Sequence, residues 1–185
     1  MNRLKALLCA MAVVLLVGCK EEDSIPKPSA ELRLEYPKAQ LGVLEKDQFE
    51  FQFNKMARLK EKNSHSLTLD YPEMRGTIFM NYRKIDGNLE KLLGDAQKFS
   101  YEHAVKADGI DEKVFMNEEA KVYGNFYSVT GDAASQAQFY ATDSTNHFVT
   151  GSLYFYAKPN YDSIYPAAVY LQNDILTIME TLRWK

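Results

Sequence analysis

Three groups of residues carry side chains that could do chemistry. Cys19 follows Gly18 at the end of an apolar run, where a free thiol is a nucleophile open to lipid modification. Asp143, Ser144 and His147 bring together the residue types of a nucleophile, a base and an orienting acid. They fall on one expected hairpin, whereas those roles need side chains converging from separate elements, so they read as turn chemistry. Asp108, Asp111 and Glu112 offer carboxylate oxygens but lack the ligand spacing of a calcium loop, and read as a solvated acidic turn. The sequence holds no His-Glu-x-x-His, Cys-x-x-Cys, Walker loop, Gly-x-Gly-x-x-Gly or Gly-x-Ser-x-Gly. The expectation is a protein that is not an enzyme, with no cofactor and no metal site.

Cys19 is placed by what precedes it. Arg3 and Lys5 supply positive charge, Ala6 to Val17 are uniformly apolar, and Gly18 is the small residue at a cleavage point. That is the form of a signal peptide over residues 1–18. A spanning helix needs about 20 apolar residues, and Lys20-Glu21-Glu22-Asp23 stops this run short. Leu16-Val17-Gly18-Cys19 is similar to the bacterial lipobox, in which the cysteine sulfur takes a diacylglycerol through a thioether. The two or three acyl chains of such an anchor, palmitate among them, hold a protein at a membrane far more firmly than one chain does. Residues 19–31 are polar and carry Pro26 and Pro28, the composition of an extended lipidated tether.

One globular domain is expected over residues 32–185. The chain has 185 residues, 46% hydrophobic and 25% charged, enough to bury a core without a staple. Its net charge is −3, made more acidic by loss of Arg3 and Lys5, so no nucleic-acid partner is expected. Cys9 leaves with the leader, and Cys19 alone cannot form an intramolecular disulfide.

Period-two alternation marks half-buried strands at Leu32, Leu34 and Tyr36, at Phe49, Phe51 and Phe53, at Leu67, Leu69 and Tyr71, and at Ile78, Met80 and Tyr82. Asn54 to Ser66 is polar and basic, and reads as a loop or short helix. After Asp86-Gly87-Asn88, apolar residues from Leu89 through Leu92, Leu93, Ala96 and Phe99 to His103 and Ala107 predict a helix capped at Gly109. His103 reads as a core or rim residue. Strands near 114–117, 121–129, 135–142 and 147–157 predict an antiparallel meander. A last helix enters through Asp162 or Ser163, carries Pro166 in its first turn, and buries Ala168, Leu171, Ile175, Ile178 and Leu182. The class is therefore α+β, an antiparallel β-sheet with the helices packed on one face. The element order is similar to a Mog1/PsbP-like sandwich, an analogy of fold only.

The meander separates into an apolar face for those helices and a polar one rich in tyrosine. Tyr123, Tyr127, Gln138, Tyr140, Tyr154 and Tyr156 form a candidate binding face, because tyrosine offers large contact area at low entropy cost. Cross-strand pairing that stiffens a solvated sheet would use the same residues. Gly131 and Asp132, with Asn160, Tyr161 and Asp162, are candidate binding loops.

Longer strings carry a resemblance: Lys106-Ala107-Asp108, Val122-Tyr123-Gly124, Gly131-Asp132-Ala133-Ala134-Ser135 and Gln138-Phe139-Tyr140-Ala141-Thr142-Asp143-Ser144. They continue with His147-Phe148, Gly151-Ser152-Leu153-Tyr154-Phe155, Pro159-Asn160-Tyr161-Asp162-Ser163 and Met179-Glu180-Thr181-Leu182. From about Tyr71 onward the chain resembles the gliding motility lipoprotein GldD family. The resemblance implies a lipid-anchored cell-envelope protein required for gliding, outside the cytoplasm at the inner or outer membrane. It also implies a non-enzymatic assembly or stabilising role in the gliding and type IX secretion machinery, whose other proteins would be its partners. The segment 47–70 has no cysteine, so no family disulfide is carried over. The alternative is a lipid-anchored module for a glycan or other small ligand, which would require a concave pocket rather than a flat sheet face.

Overall fold

Strands whose alternate residues are apolar must bury one face, and the chain does so on both sides of a long helix. The computed structural model describes residues 34–102, 107–156 and 160–185. In chain order the elements are β1 (Leu41–Glu45), β2 (Phe49–Asn54), β3 (Arg58–Asn63), β4 (Ser66–Tyr71), β5 (Gly76–Lys84) and α1 (Leu89–Glu102). They continue with β6 (Ala107–Asn117), β7 (Val122–Gly131), β8 (Ala137–Thr142), β9 (His147–Phe155), α2 (Tyr161–Thr181) and β10 (Arg183–Trp184). A seven-stranded sheet runs β3-β4-β5-β9-β8-β7-β6, and a three-stranded sheet runs β1-β2-β10. Every pairing is antiparallel, so the α+β class and the meander β6 to β9 are as expected.

Helix α2 packs against β2 of the small sheet and against β5, β7, β8 and β9 of the large one. Its stripe Leu171, Ile175 and Ile178 shares one core with Phe49 and Phe51 on one side and Ile78, Phe139 and Leu153 on the other. All five residues expected on the stripe, Ala168 to Leu182, are buried. The cap falls on Asn160 rather than Asp162 or Ser163, because the Asn160 side chain accepts the Ser163 N–H at 3.4 Å. With the helix starting at Tyr161, Pro166 lies past the first turn, where its missing N–H leaves the Asp162 carbonyl without its usual donor.

Helix α1 departs from the expected arrangement. Successive residues of a strand face opposite ways, so Ala137, Phe139 and Ala141 meet α2 while Gln138 and Tyr140 face away from it. On that second face lies α1, with Leu89, Leu92, Leu93 and Ala96 packed on Ile85, Tyr140 and Phe148. The helices thus occupy both faces of the large sheet, not one. The apolar stripe of α1 needed a partner surface, and Phe148 with the ring of Tyr140 provides it.

The remaining differences lie where local patterning is weak. Arg58–Asn63 forms an edge strand, with every residue exposed and mostly charged, rather than a loop or helix. Leu34 and Tyr36 lie in an irregular stretch, and the first strand is Leu41–Glu45. Gly109, Asp108, Asp111 and Glu112 belong to edge strand β6, so Gly109 caps no helix and the acidic residues form no turn. The signal peptide, Cys19, the tether, Leu32 and His103 lie outside the described residues. Among the described residues no helix is long and apolar enough to cross a membrane.

Candidate pocket between helix and sheet

The tyrosine-rich face is not flat, because α1 covers part of it. The first two turns of α1 close onto the sheet through Leu92 and Phe148. Farther along, Asp95, Phe99 and Ser100 roof a cavity of about 460 Å³ whose floor is β5, β8 and β9. That volume lies within the range of small-molecule sites. From the floor rise Gln138 and Tyr140 of β8, Thr150, Ser152 and Tyr154 of β9, and Phe79 and Asn81 of β5. Ladder register brings them together: Gln138 sits opposite Ser152 and Tyr140 opposite Thr150.

The aromatic rings are held by one another. Tyr140 stacks on Phe148 at 5.7 Å and 7°, and Tyr154 meets Phe79 edge-on at 5.8 Å. Burial raises the pKa of Tyr140 and Tyr154, with the Glu112 charge adding to it at Tyr140, so both phenols stay protonated and able to donate. Gln138 is 2% exposed, and among the described residues neither its Nε2 nor its Oε1 has a hydrogen-bond partner. An unpaired buried amide is costly, and such a group in a cavity wall is a place where a ligand can repay the cost.

Of the six residues proposed as a binding face, Gln138, Tyr140 and Tyr154 line this cavity. Tyr127 is buried on β7 beside Gln138, where Asn125 Nδ2 donates to its hydroxyl at 3.3 Å and also to Glu112. Tyr123 sits half-buried at the far end of β7, opposite Thr142, and Tyr156 lies beyond β9 at 65% exposure. The two loops meet each other rather than the cavity. Asp132 Oδ1 accepts the Tyr161 N–H at 2.8 Å, Asn160 caps α2, and Asp162 stands in its first turn, where a carboxylate suits the helix dipole. Gln136 Nε2 donates to the carbonyls of Gly131 and Ala133, and Gly131 has φ +91° with Asp108 packed against it.

The roof residues Asp95 and Ser100 and the wall residues Phe79 and Arg83 were not visible as site residues. Phe99 alone among the roof and wall residues carries a signal, its place on the predicted apolar stripe. The triad-like residues are a turn: Asp143 Oδ1 accepts the N–H groups of Thr145, Asn146 and His147 at 3.0, 2.8 and 2.8 Å.

A family model described as gliding motility lipoprotein GldD matches residues 21–184. The chain belongs to that family. The match begins well before the strings that carried the resemblance, and it includes the small sheet as well as the meander. Membership makes the protein a gliding motility lipoprotein, a membrane-anchored component of the cell envelope, in a family not known for enzymes. Comparison with curated proteins finds no match.

Proposed function

We propose that the protein is a non-enzymatic assembly or stabilising component of the gliding and type IX secretion machinery. In this reading residues 1–18 are removed, the Cys19 thiol carries the lipid, residues 19–31 form the tether, and residues 32–185 act by binding. The family match over residues 21–184 is the observation that carries it. Two measurements test it together. Cys19→Ser should abolish labelling by a fatty-acid probe, and affinity capture of the lipidated protein from intact envelopes should recover gliding or secretion proteins. Undiminished labelling in the variant removes the anchor from the proposal, and recovery of no envelope protein removes the assembly role.

A second reading, a lipid-anchored module for a small ligand, is favoured by the cavity under α1. Such a module needs concavity and convergent polar groups, and both are present around Gln138. Loss of gliding in a folded Gln138→Leu protein that still captures its envelope partners would support it, and unchanged gliding would count against it.

A further inference from the structure

Resting on that second reading, we propose that the cavity beneath α1 takes a neutral sugar residue, held by the Gln138 amide and the hydroxyls of Thr150 and Ser152 against aromatic rings. The first argument is the amide itself. Among the described residues Gln138 offers a donor and an acceptor that are both unpaired, and because both are closed to solvent it is a turn of the side chain into the cavity that presents them to a ligand. A ligand that satisfies both must present a donor and an acceptor side by side, and neighbouring sugar hydroxyls each do both.

The surroundings select among ligand classes. Gln138 lies directly opposite Ser152 in the ladder, and Thr150 is two residues along β9 on the same face, so the polar groups form one row. Tyr140 and Tyr154 stand beside that row, and their rings suit the apolar C–H face of a pyranose. Among the described residues Arg83 and Asp95 are the two charged ones of the lining, of opposite sign, so no excess charge there recommends a phosphate or a cation. An acyl chain would leave Gln138 unsatisfied in an apolar contact. A peptide recognised by strand addition needs a free sheet edge, whereas β8 and β9 are interior strands paired on both sides.

The test uses the mature lipidated protein in a zwitterionic detergent that contains no sugar. Saturation-transfer NMR is recorded with methyl glycosides of glucose, mannose and N-acetylglucosamine, and in a separate arm with an uncharged capped tripeptide. The expected result is saturable transfer to at least one glycoside, with affinity weakened about tenfold or more in Gln138→Leu, as loss of a buried hydrogen-bonded pair requires. Thr150→Val, close in shape, gives a second measurement if Gln138→Leu does not fold, and it should weaken binding in the same direction. Glycoside binding unchanged in both variants would overturn the site. Transfer to the tripeptide alone, lost in Gln138→Leu, would overturn the sugar while leaving the pocket as a binding site. Absence of saturable transfer in every arm would overturn the sugar and the small-ligand reading together.

Discussion

The ring of Tyr127 meets that of Tyr101 edge-on, with centroids 6.4 Å apart and planes at 68°. Tyr127 comes from the centre of β7 and Tyr101 from the last turn of α1, so this pair marks where helix and sheet close on each other. Tyr127 is 1% exposed, whereas half of Tyr101 remains in solvent. Tyr127→Ala should therefore cost about 3 kcal/mol, the loss of a large buried aromatic. Tyr101→Ala should cost well under half of that. Urea midpoints of the two variants measure the difference, and equal costs would contradict the burial asymmetry.

Gly124 of β7 has no room for a methyl group. A Cβ there would lie 1.9 Å from the backbone oxygen of Tyr140 on the neighbouring strand, an atom that cannot move without breaking the β7–β8 ladder. Gly124→Ala should destabilise by about 3 kcal/mol or more, the upper end of overpacking costs. The amide protection of Tyr140 and its neighbours in hydrogen exchange should fall with it. Gly94→Ala is the control: the site is open, the residue is helical, and the change should stabilise by up to about 1 kcal/mol.

Asp143 gives the fold an acid-sensitive hairpin. Burial works against its charge, but three backbone N–H donors from His147, Thr145 and Asn146 and the Thr145 hydroxyl outweigh it and lower its pKa to about 2. A carboxylate whose folded pKa is lowered adds stability above its unfolded pKa and loses it as pH falls through the folded value. The wild type should lose this contribution between about pH 4 and pH 2, about 1 kcal/mol after allowance for solvent screening. Asp143→Ala should lack that acid-dependent step, which equilibrium unfolding across the range would reveal.

Asp174 has the opposite sign. It is buried in α2, and burial raises its pKa although Asn54 Nδ2 donates to it at 3.0 Å. The nearby Tyr71 hydroxyl, also buried, works in the same direction as Asn54, though among the described residues it forms no well-made hydrogen bond. The folded state keeps the Asp174 proton to higher pH than the unfolded chain does, so stability falls as pH rises from the unfolded pKa through the folded one. Asp174→Asn retains the acceptor for Asn54 and removes the charge. It should flatten this slope and raise stability at pH 7, and a variant that is less stable there would show the charge to be favourable.

The central strands were legible because their period-two pattern is strong: Phe49 and Phe51, Leu67, Leu69 and Tyr71, and Ile78 and Met80 are all buried as the alternation required. Strand β3 was not legible, since a solvated edge strand has no apolar face to alternate with. Strand β10 is two residues long and is held by long-range contacts. Lys121 O accepts the Trp184 indole N–H at 2.9 Å, and His147 stacks on that indole at 5.2 Å. Gln138, Tyr140 and Tyr154 could be assigned to one face from spacing alone, which is part of the cavity floor.

The rest of the site belongs to the tertiary structure. Residue order by itself determined the lipobox-like Leu16 to Cys19, the faces of β4, β5, β8 and β9, and the buried stripe of α2, because each depends on periodicity or on neighbours in the chain. It also determined that α1 has an apolar stripe. Which surface that stripe would cover was decided only by packing: α2 already fills the space between the two sheets, so α1 settles on Phe148 and Tyr140 across the large sheet. That choice turns an open row of tyrosines into a roofed cavity and leaves the Gln138 amide buried at its wall, without a partner among the described residues.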